Sequence, residues 1–362
     1  MKKLLLALSY TLFFVEAFGN KEIIHFKQEQ MPLNGQIIIT DVDQIVTIAH
    51  ETAEFLRKIK KHPSKFVTVT PGLFSEFGVT LDDVLDTLEF IVTTGKKKPH
   101  LLQSPWFLNN HFTFYRWHGD ATKTVNPIFR GWEKPPAAII TTQYRITQLI
   151  AMNKKTSTHT YPLYMCPCDE KGLTPHQKRA KQSILLRFKY TADQICQGAL
   201  NELSNHVKII GWLDDAGRKD FAMQGSAELL FPDGSKKLVQ VAGSNGMKGK
   251  DIYWFADYVV PVSKTKFPQK VRPMADVTYA GDIDLLGFGK VILLLCWNPK
   301  KERKEIRLGV LVDTGSAFKG NLAKLDMFTG YFPTQASFCE HIKSYPHTAR
   351  AYVLIKKKTY IL

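Results

Sequence analysis

Ile45, Ala49, Ala53, Leu56 and Ile59 recur at the spacing that stacks side chains on one face of a helix. They begin just after Asp43, and His62-Pro63 stops the run, so a helix is predicted over 43–61. A second helix opens at Thr80-Leu-Asp-Asp83, which supplies an N-cap and an acidic first turn. Val84, Leu85, Leu88 and Ile91 form its apolar face, and Gly95 is the expected C-cap before Lys96-Lys97-Lys98. From Phe112 onward the period shortens. Apolar, β-rich runs at 137–142, 207–212, 228–231, 238–242 and 291–297 are separated by turn signals such as Pro232-Asp233-Gly234. One helix interrupts them, opening with the capping box Thr191-Ala-Asp-Gln194 and reaching about Leu200. The pattern predicts a mainly β protein with N-terminal helices and no internal repeat.

Residues 1–19 carry a different pattern. Lys2 and Lys3 precede an uncharged run from Leu4 to Val15, and Ala17-Phe18-Gly19 places small residues at a cleavage site, so an export signal is expected over 1–19. The run falls short of the roughly 20 residues a membrane-spanning helix needs, and no other stretch is long enough. No cysteine follows it for lipid attachment. An exported protein, periplasmic or associated with an outer membrane, without a lipobox cysteine, is the expectation.

Composition narrows the partners. The chain of 362 residues is 44% hydrophobic and 23% charged, the balance of a globular protein of two domains, or of one with an insertion. Its formal charge of +16 favours an anionic partner: nucleic acid, a lipid surface or an acidic polymer. An export signal removes it from cytoplasmic nucleic acid, and no helix-turn-helix, zinc-finger or RNA-binding aromatic signature is present. Cys166, Cys168, Cys196, Cys296 and Cys339 include no CxxC pair and read as structural thiols, so neither metal nor cofactor is implied. His111, His118 and Asp120 read as satisfied surface or core groups.

The candidate chemistry is carried by aspartates. HExxH, P-loop, GxGxxG and GxSxG motifs are absent. What remains is Val312-Asp313-Thr314-Gly315-Ser316, where an apolar strand over 308–312 delivers an aspartate into a glycine-containing turn, followed by Leu325-Asp326-Met327-Phe328-Thr329-Gly330. Partial desolvation at such a place raises a carboxyl's pKa and suits it to general acid work. A plain Asp turn explains the pattern equally well. Asp-Thr-Gly-Ser also resembles the aspartic protease loop, but the chain has one such loop, and a protease would need a symmetric dimer.

A broader resemblance joins several motifs. Asp282-Ile-Asp-Leu-Leu-Gly-Phe-Gly289, Asp313-Thr-Gly-Ser-Ala-Phe-Lys-Gly320 and Leu325-Asp326-Met-Phe-Thr-Gly330 resemble the three-aspartate domain of the membrane-bound lytic transglycosylase A (MltA) family. Thr142-Gln-Tyr144, Thr160-Tyr-Pro-Leu-Tyr164, Gln197-Gly-Ala-Leu200, Asp220-Phe-Ala-Met-Gln-Gly-Ser226, Phe231-Pro-Asp-Gly234 and Val241-Ala-Gly-Ser-Asn-Gly246 follow that family's order. Gln143 and Arg145 replace its glycine and tyrosine, Met247-Lys-Gly249 lacks its aromatic, and the segment before Asp282 is short.

The resemblance implies a double-psi β-barrel domain interrupted by a smaller β domain at 148–248. An N-terminal helical region with the start of the barrel would occupy 20–147, and the rest of the barrel 249–362. It implies a monomer that cleaves the β-1,4 bond between N-acetylmuramic acid and N-acetylglucosamine in peptidoglycan glycan strands, leaving a 1,6-anhydro sugar. Asp326 would be the acid and then base, with Asp313 as its catalytic partner. Thr142, Tyr144, Gln224, Ser226, Asp282, Gly315 and Lys319 would serve substrate binding. For Gln224-Gly-Ser226 a structural turn is an equal reading, and Tyr164 and Trp212 could be core or sugar-stacking groups. A non-catalytic wall-binding module and a dimeric aspartic protease stand as alternatives.

Overall fold

The computed structural model describes residues 25–30, 33, 36–61, 69–119, 138–203, 206–243, 254–257, 271–298, 300–315 and 318–358. The expected export signal, Asp120 and the stretch over 244–253 lie outside them. In chain order, β1 (Phe26–Glu29) and β2 (Ile37–Ile38) precede α1 (Val42–Lys61), α2 (Leu81–Lys97), α3 (Pro105–His111), β3 (Phe112–Trp117) and β4 (Ile139–Ile150). Then come β5 (Tyr161–Tyr164), α4 (Pro175–Ala180), α5 (Ala192–Cys196), β6 (Ile209–Leu213), α6 (Asp215–Gln224), β7 (Ser226–Leu230), β8 (Lys236–Gly243) and β9 (Trp254–Asp257). The last third holds β10 (Thr278–Ala280), α7 (Ile283–Leu286), β11 (Val291–Asn298), β12 (Arg303–Asp313), β13 (Lys324–Phe332), α8 (Gln335–Ile342) and β14 (Thr348–Lys356).

Six of these strands close on themselves. The order β14, β11, β12, β10, β13, β4 returns to β14 through the pairs Thr348 with Ile140 and Ala349 with Ile139, so the ring has no free edge. Two of its junctions, β10 with β12 and β13 with β4, are parallel. Val291 to Leu294 of β11 are all buried, as expected of a strand covered on both faces. Outside the ring, α1 packs on β12 and α2 on β14. One large apolar cluster joins these helices to the ring, with Phe55, Leu88, Ile292, Leu311 and Val353 wholly buried.

β4 leads out of the ring. From Ile139 to Thr147 it runs along β13 and β14, and from Thr147, which is paired on both sides, to Ile150 it pairs with β7, which continues into β8 and β9. This outer unit has its own apolar cluster of Leu149, Leu163, Leu213, Phe221, Leu229 and Val239. It is pinned to the ring by charge. Arg145, almost fully buried, donates to both carboxylate oxygens of Asp220 on α6 at 3.2 Å, to Thr147 Oγ1 at 3.0 Å and to the Phe332 carbonyl of β13 at 3.0 Å. Gln143 Nε2 donates to the Pro346 carbonyl at 3.1 Å. The two residues that depart from the expected motif are thus both fastened to backbone of the ring.

The expected helix over 43–61 is α1, and Thr80 caps α2 in a reciprocal box with Asp83. Gly95 does not end α2, which runs on to Lys97. A β-carbon at Gly95 would come within 2.1 Å of the Val46 side chain, so the glycine serves close packing of α2 on α1. The capping box at Thr191 is formed, but α5 stops at Cys196, and Gly198 turns into the left-handed region (φ +95°) instead of extending the helix to Leu200. The strand expected over 137–142 is the opening of the much longer β4. Tyr164 and Trp212 are buried core groups.

Asp220→Ala should destabilise the chain by about 3 kcal/mol in urea unfolding, since it strands a buried guanidinium. The double change Arg145→Met with Asp220→Leu should recover most of that loss. Equal stability of Asp220→Ala and the wild type would remove the pin from the account.

Candidate active site

The sheet register assembles the site. Ala280 of β10 is paired with Asp313 of β12 on one side and with Asp326 of β13 on the other, which brings the two aspartates to a common place. On its far edge Asp326 is paired with Thr142, and Phe328 with Tyr144. Strand side chains alternate, so Lys324, Asp326 and Phe328 share a face of β13, and in this parallel register Thr142 and Tyr144 of β4 lie beside them.

Asp313 is the last residue of β12 and only 6% exposed. Its Oδ2 accepts a hydrogen bond from the Tyr144 hydroxyl at 2.8 Å, and its Oδ1 one from the Thr314 N–H at 2.8 Å. Burial pushes its pKa up to about 6, against the opposing pull of the two donors, and the neighbouring Asp326 carboxyl raises it further. Asp326 is more open, with its side chain 18% exposed. Burial raises its pKa as well, partly offset by the ammonium of Lys324, 3.1 Å from Oδ1. That oxygen nonetheless accepts no aligned hydrogen bond, and neither does the buried Thr142 hydroxyl beside it. The Tyr144 ring packs on Phe328 at 5.3 Å between centroids.

The remaining expected residues divide into two groups. Asp282 is 4% exposed and caps α7, its Oδ1 accepting from the N–H groups of Asp284 and Leu285 at 3.1 Å, while its Oδ2 accepts from the Gly320 N–H at 2.6 Å. Both oxygens are engaged by backbone, so its place is behind the site, tying down the turn that follows Asp313, and not at a substrate surface. Gly315 and Lys319 lie exposed on that turn. Gln224 ends α6 and Ser226 opens β7, joined by Gly225 in the left-handed region (φ +73°). Both are partly buried. Because Ala227 pairs with Thr147, Ser226 stands about four residues, roughly 13 Å, along β4 from Thr142. The structure therefore brings together Asp313, Asp326, Thr142 and Tyr144, and leaves Gln224 and Ser226 on α6 and β7, beside a later part of β4.

Lys324 is the site residue that the sequence reading missed, having favoured Lys319. The signal available was its position two residues before Asp326 in a strand. Two cavities lie elsewhere: one of about 530 Å³ bordered by Thr40, Asp276, Arg307 and Tyr345, and one of about 710 Å³ bordered by Gln28, Asn109, Phe112 and Lys357. None of the expected site residues lines either.

A closed six-stranded barrel with an outer unit grown from one of its strands, and buried carboxyls where β12 and β13 flank β10, defines the class. The family profile described as the MltA specific insert domain matches residues 140–253. No curated protein sequence matches. The crystal structure of MltA from Neisseria gonorrhoeae (monoclinic form) superposes with a TM-score of 0.56 at 16% identity, over 88% of each chain. That of E. coli MltA with bound chitohexaose does so with a TM-score of 0.51 at 14% identity, over 92% of this chain and 95% of the other. The chain therefore carries a segment similar to the MltA insert domain and shares the fold of these two MltA structures.

The raised pKa of Asp313 makes stability depend on pH. The native state holds this proton more tightly than the unfolded chain, so its stabilising contribution is complete below about pH 4 and is lost as pH rises through 6. Relative to wild type, Asp313→Asn should gain about 2 kcal/mol between pH 4 and pH 7 in urea unfolding. A difference that stays constant with pH would contradict the assignment.

Proposed function

We propose that this chain is a peptidoglycan lytic transglycosylase that cleaves the N-acetylmuramic acid to N-acetylglucosamine β-1,4 bond and leaves a 1,6-anhydro sugar. The observation that carries the proposal is the state of Asp326: largely desolvated, so inclined to keep a proton, yet open on a face shared with Thr142 and Tyr144. The match to the MltA insert-domain profile and the chitohexaose bound to the similar E. coli structure support a glycan as substrate.

One carboxyl suffices for this reaction. Protonated Asp326 donates its hydrogen to the glycosidic oxygen as the bond from C1 to that oxygen breaks. The C6 hydroxyl of the same muramyl ring then bonds to C1, and the Asp326 carboxylate takes the proton released, returning to its starting form. Glycosidases that use water need a second carboxyl to attack or to activate it. Here Asp313 is too deeply buried to touch a sugar, and its part is to hold the Tyr144 hydroxyl through its Oδ2. Thr142 and Tyr144 are assigned to sugar contact beside the scissile bond, with Gln224 and Ser226 meeting the glycan strand further from it.

The barrel is taken as double-psi, a reading supported by its two parallel junctions. The unit over 148–248 is taken as the inserted domain. Among the described residues no helix is long and apolar enough to cross a membrane. We assign the protein to the exported space as a monomer, where a charge of +16 holds it near an acidic wall polymer in a salt-sensitive way.

Incubated with purified sacculi, the protein should release 1,6-anhydromuropeptides detectable by mass spectrometry. Asp326→Asn should cut that release by about 10²- to 10⁴-fold with an unchanged circular dichroism spectrum. Products with reducing ends would mean hydrolysis, wall binding without product a binding module, and pepstatin-sensitive cleavage of casein a protease; each would overturn the proposal.

A further inference from the structure

Lys324 precedes Asp326 by two residues and presents its side chain on the same face of β13. Its Nζ stands 3.1 Å from Asp326 Oδ1, with the two side chains 22% and 18% exposed. The ammonium also lies 5.2 Å from the centre of the buried Phe318 ring, so ring and carboxyl together fix the head of a side chain that would otherwise be mobile. The ion pair is not aligned as a hydrogen bond, and Asp326 Oδ1 accepts none. That oxygen is itself enclosed, with the ammonium as the charge it faces.

We propose that Lys324 is a positioning residue for Asp326, holding the carboxyl in its place beside Thr142 and setting the pH range over which it carries a proton. The proposal rests on the reading of Asp326 as the acid and base. The groups facing this carboxyl come from four strands. Its own strand brings Lys324, β12 brings Asp313, and β4 brings Thr142 together with Tyr144, which is bonded to Asp313; β10 contributes Ala280, which does not titrate.

Lys324 and burial act in opposite senses. The cation favours the carboxylate form and burial favours the protonated form. When Asp326 gives its hydrogen to the glycosidic oxygen, the new carboxylate appears beside a fixed ammonium in a poorly solvated place. Lys324 thus stabilises the product of the first proton transfer, making Asp326 a readier donor, and confines the protonated form to lower pH.

The test compares Lys324→Met, which keeps the stem against Phe318 and removes the charge, with Lys324→Arg, which restores it. Two readouts are taken on the full chain: ¹³C NMR titration of the Asp326 carboxyl, and the pH dependence of anhydromuropeptide release. In Lys324→Met both the titration and the alkaline limb of activity should move to higher pH by about one unit, and in Lys324→Arg both should return. An Asp326 titration unmoved in Lys324→Met overturns the proposal. A rise in KM with both limbs of the profile in place overturns it too, and gives the lysine to substrate binding. The titration needs no turnover, so it separates this inference from the enzyme reading: failure of the wild type to release anhydro product sinks the latter, and an unmoved carboxyl sinks the former.

Discussion

β4 is hydrogen-bonded to β13 along one edge and to β14 along the other, and that double pairing closes six strands into a ring. Every other feature of the site follows from the register this closure imposes. It puts Thr142 opposite Asp326, and it leaves Ala280 flanked by two aspartates 13 residues apart in sequence. A slip of one residue at β13 would turn Asp326 to the opposite face and bring an apolar neighbour, Leu325 or Met327, into its place. The closed ring has no edge at which such a slip can be accommodated.

The same packing divides the three aspartates by environment. Asp282 has both oxygens occupied by backbone N–H groups and is a fixed strut beneath the turn after Asp313. Asp313 is buried and bonded to Tyr144, so its charge is adjusted by a neighbour and it meets no solvent-borne ligand directly. Asp326 keeps an opening and a cation. Burial favours its protonated form and the ammonium beside it the carboxylate, so the two forms are pulled in opposite directions. A glycine in the ring serves the same compactness: a β-carbon at Gly309 would stand 2.5 Å from the buried ring of Tyr279 on the neighbouring strand.

Much of this was legible in the sequence where local chemistry dominates. Thr80 with Asp83, and Thr191 with Gln194, announce helix starts because a capping box is a short-range interaction. The strand that delivers Asp313 is visible as an apolar run. Less visible was α6, which buries only Gly217 and Phe221 and so carries almost no helical periodicity. The length of β4 was also hidden, since Gln143, Arg145 and Thr147 break the apolar pattern; each is polar because it has a partner distant in sequence, at Pro346, Asp220 or Phe332. The role of Lys324 needed the knowledge that Asp326 lies within a strand and not in a loop. Periodicity sees one face of one element, and a site made from four strands is a product of register.

The most direct measurement is a crystal structure of the Asp326→Asn protein with a peptidoglycan oligosaccharide bound. The account predicts the scissile glycosidic oxygen within hydrogen-bonding distance, about 2.6–3.2 Å, of the side chain at position 326, with Thr142 and Tyr144 against the flanking sugars. An oligosaccharide seated elsewhere, for instance in the cavity bordered by Asp276 and Arg307, with position 326 facing only solvent, would contradict it.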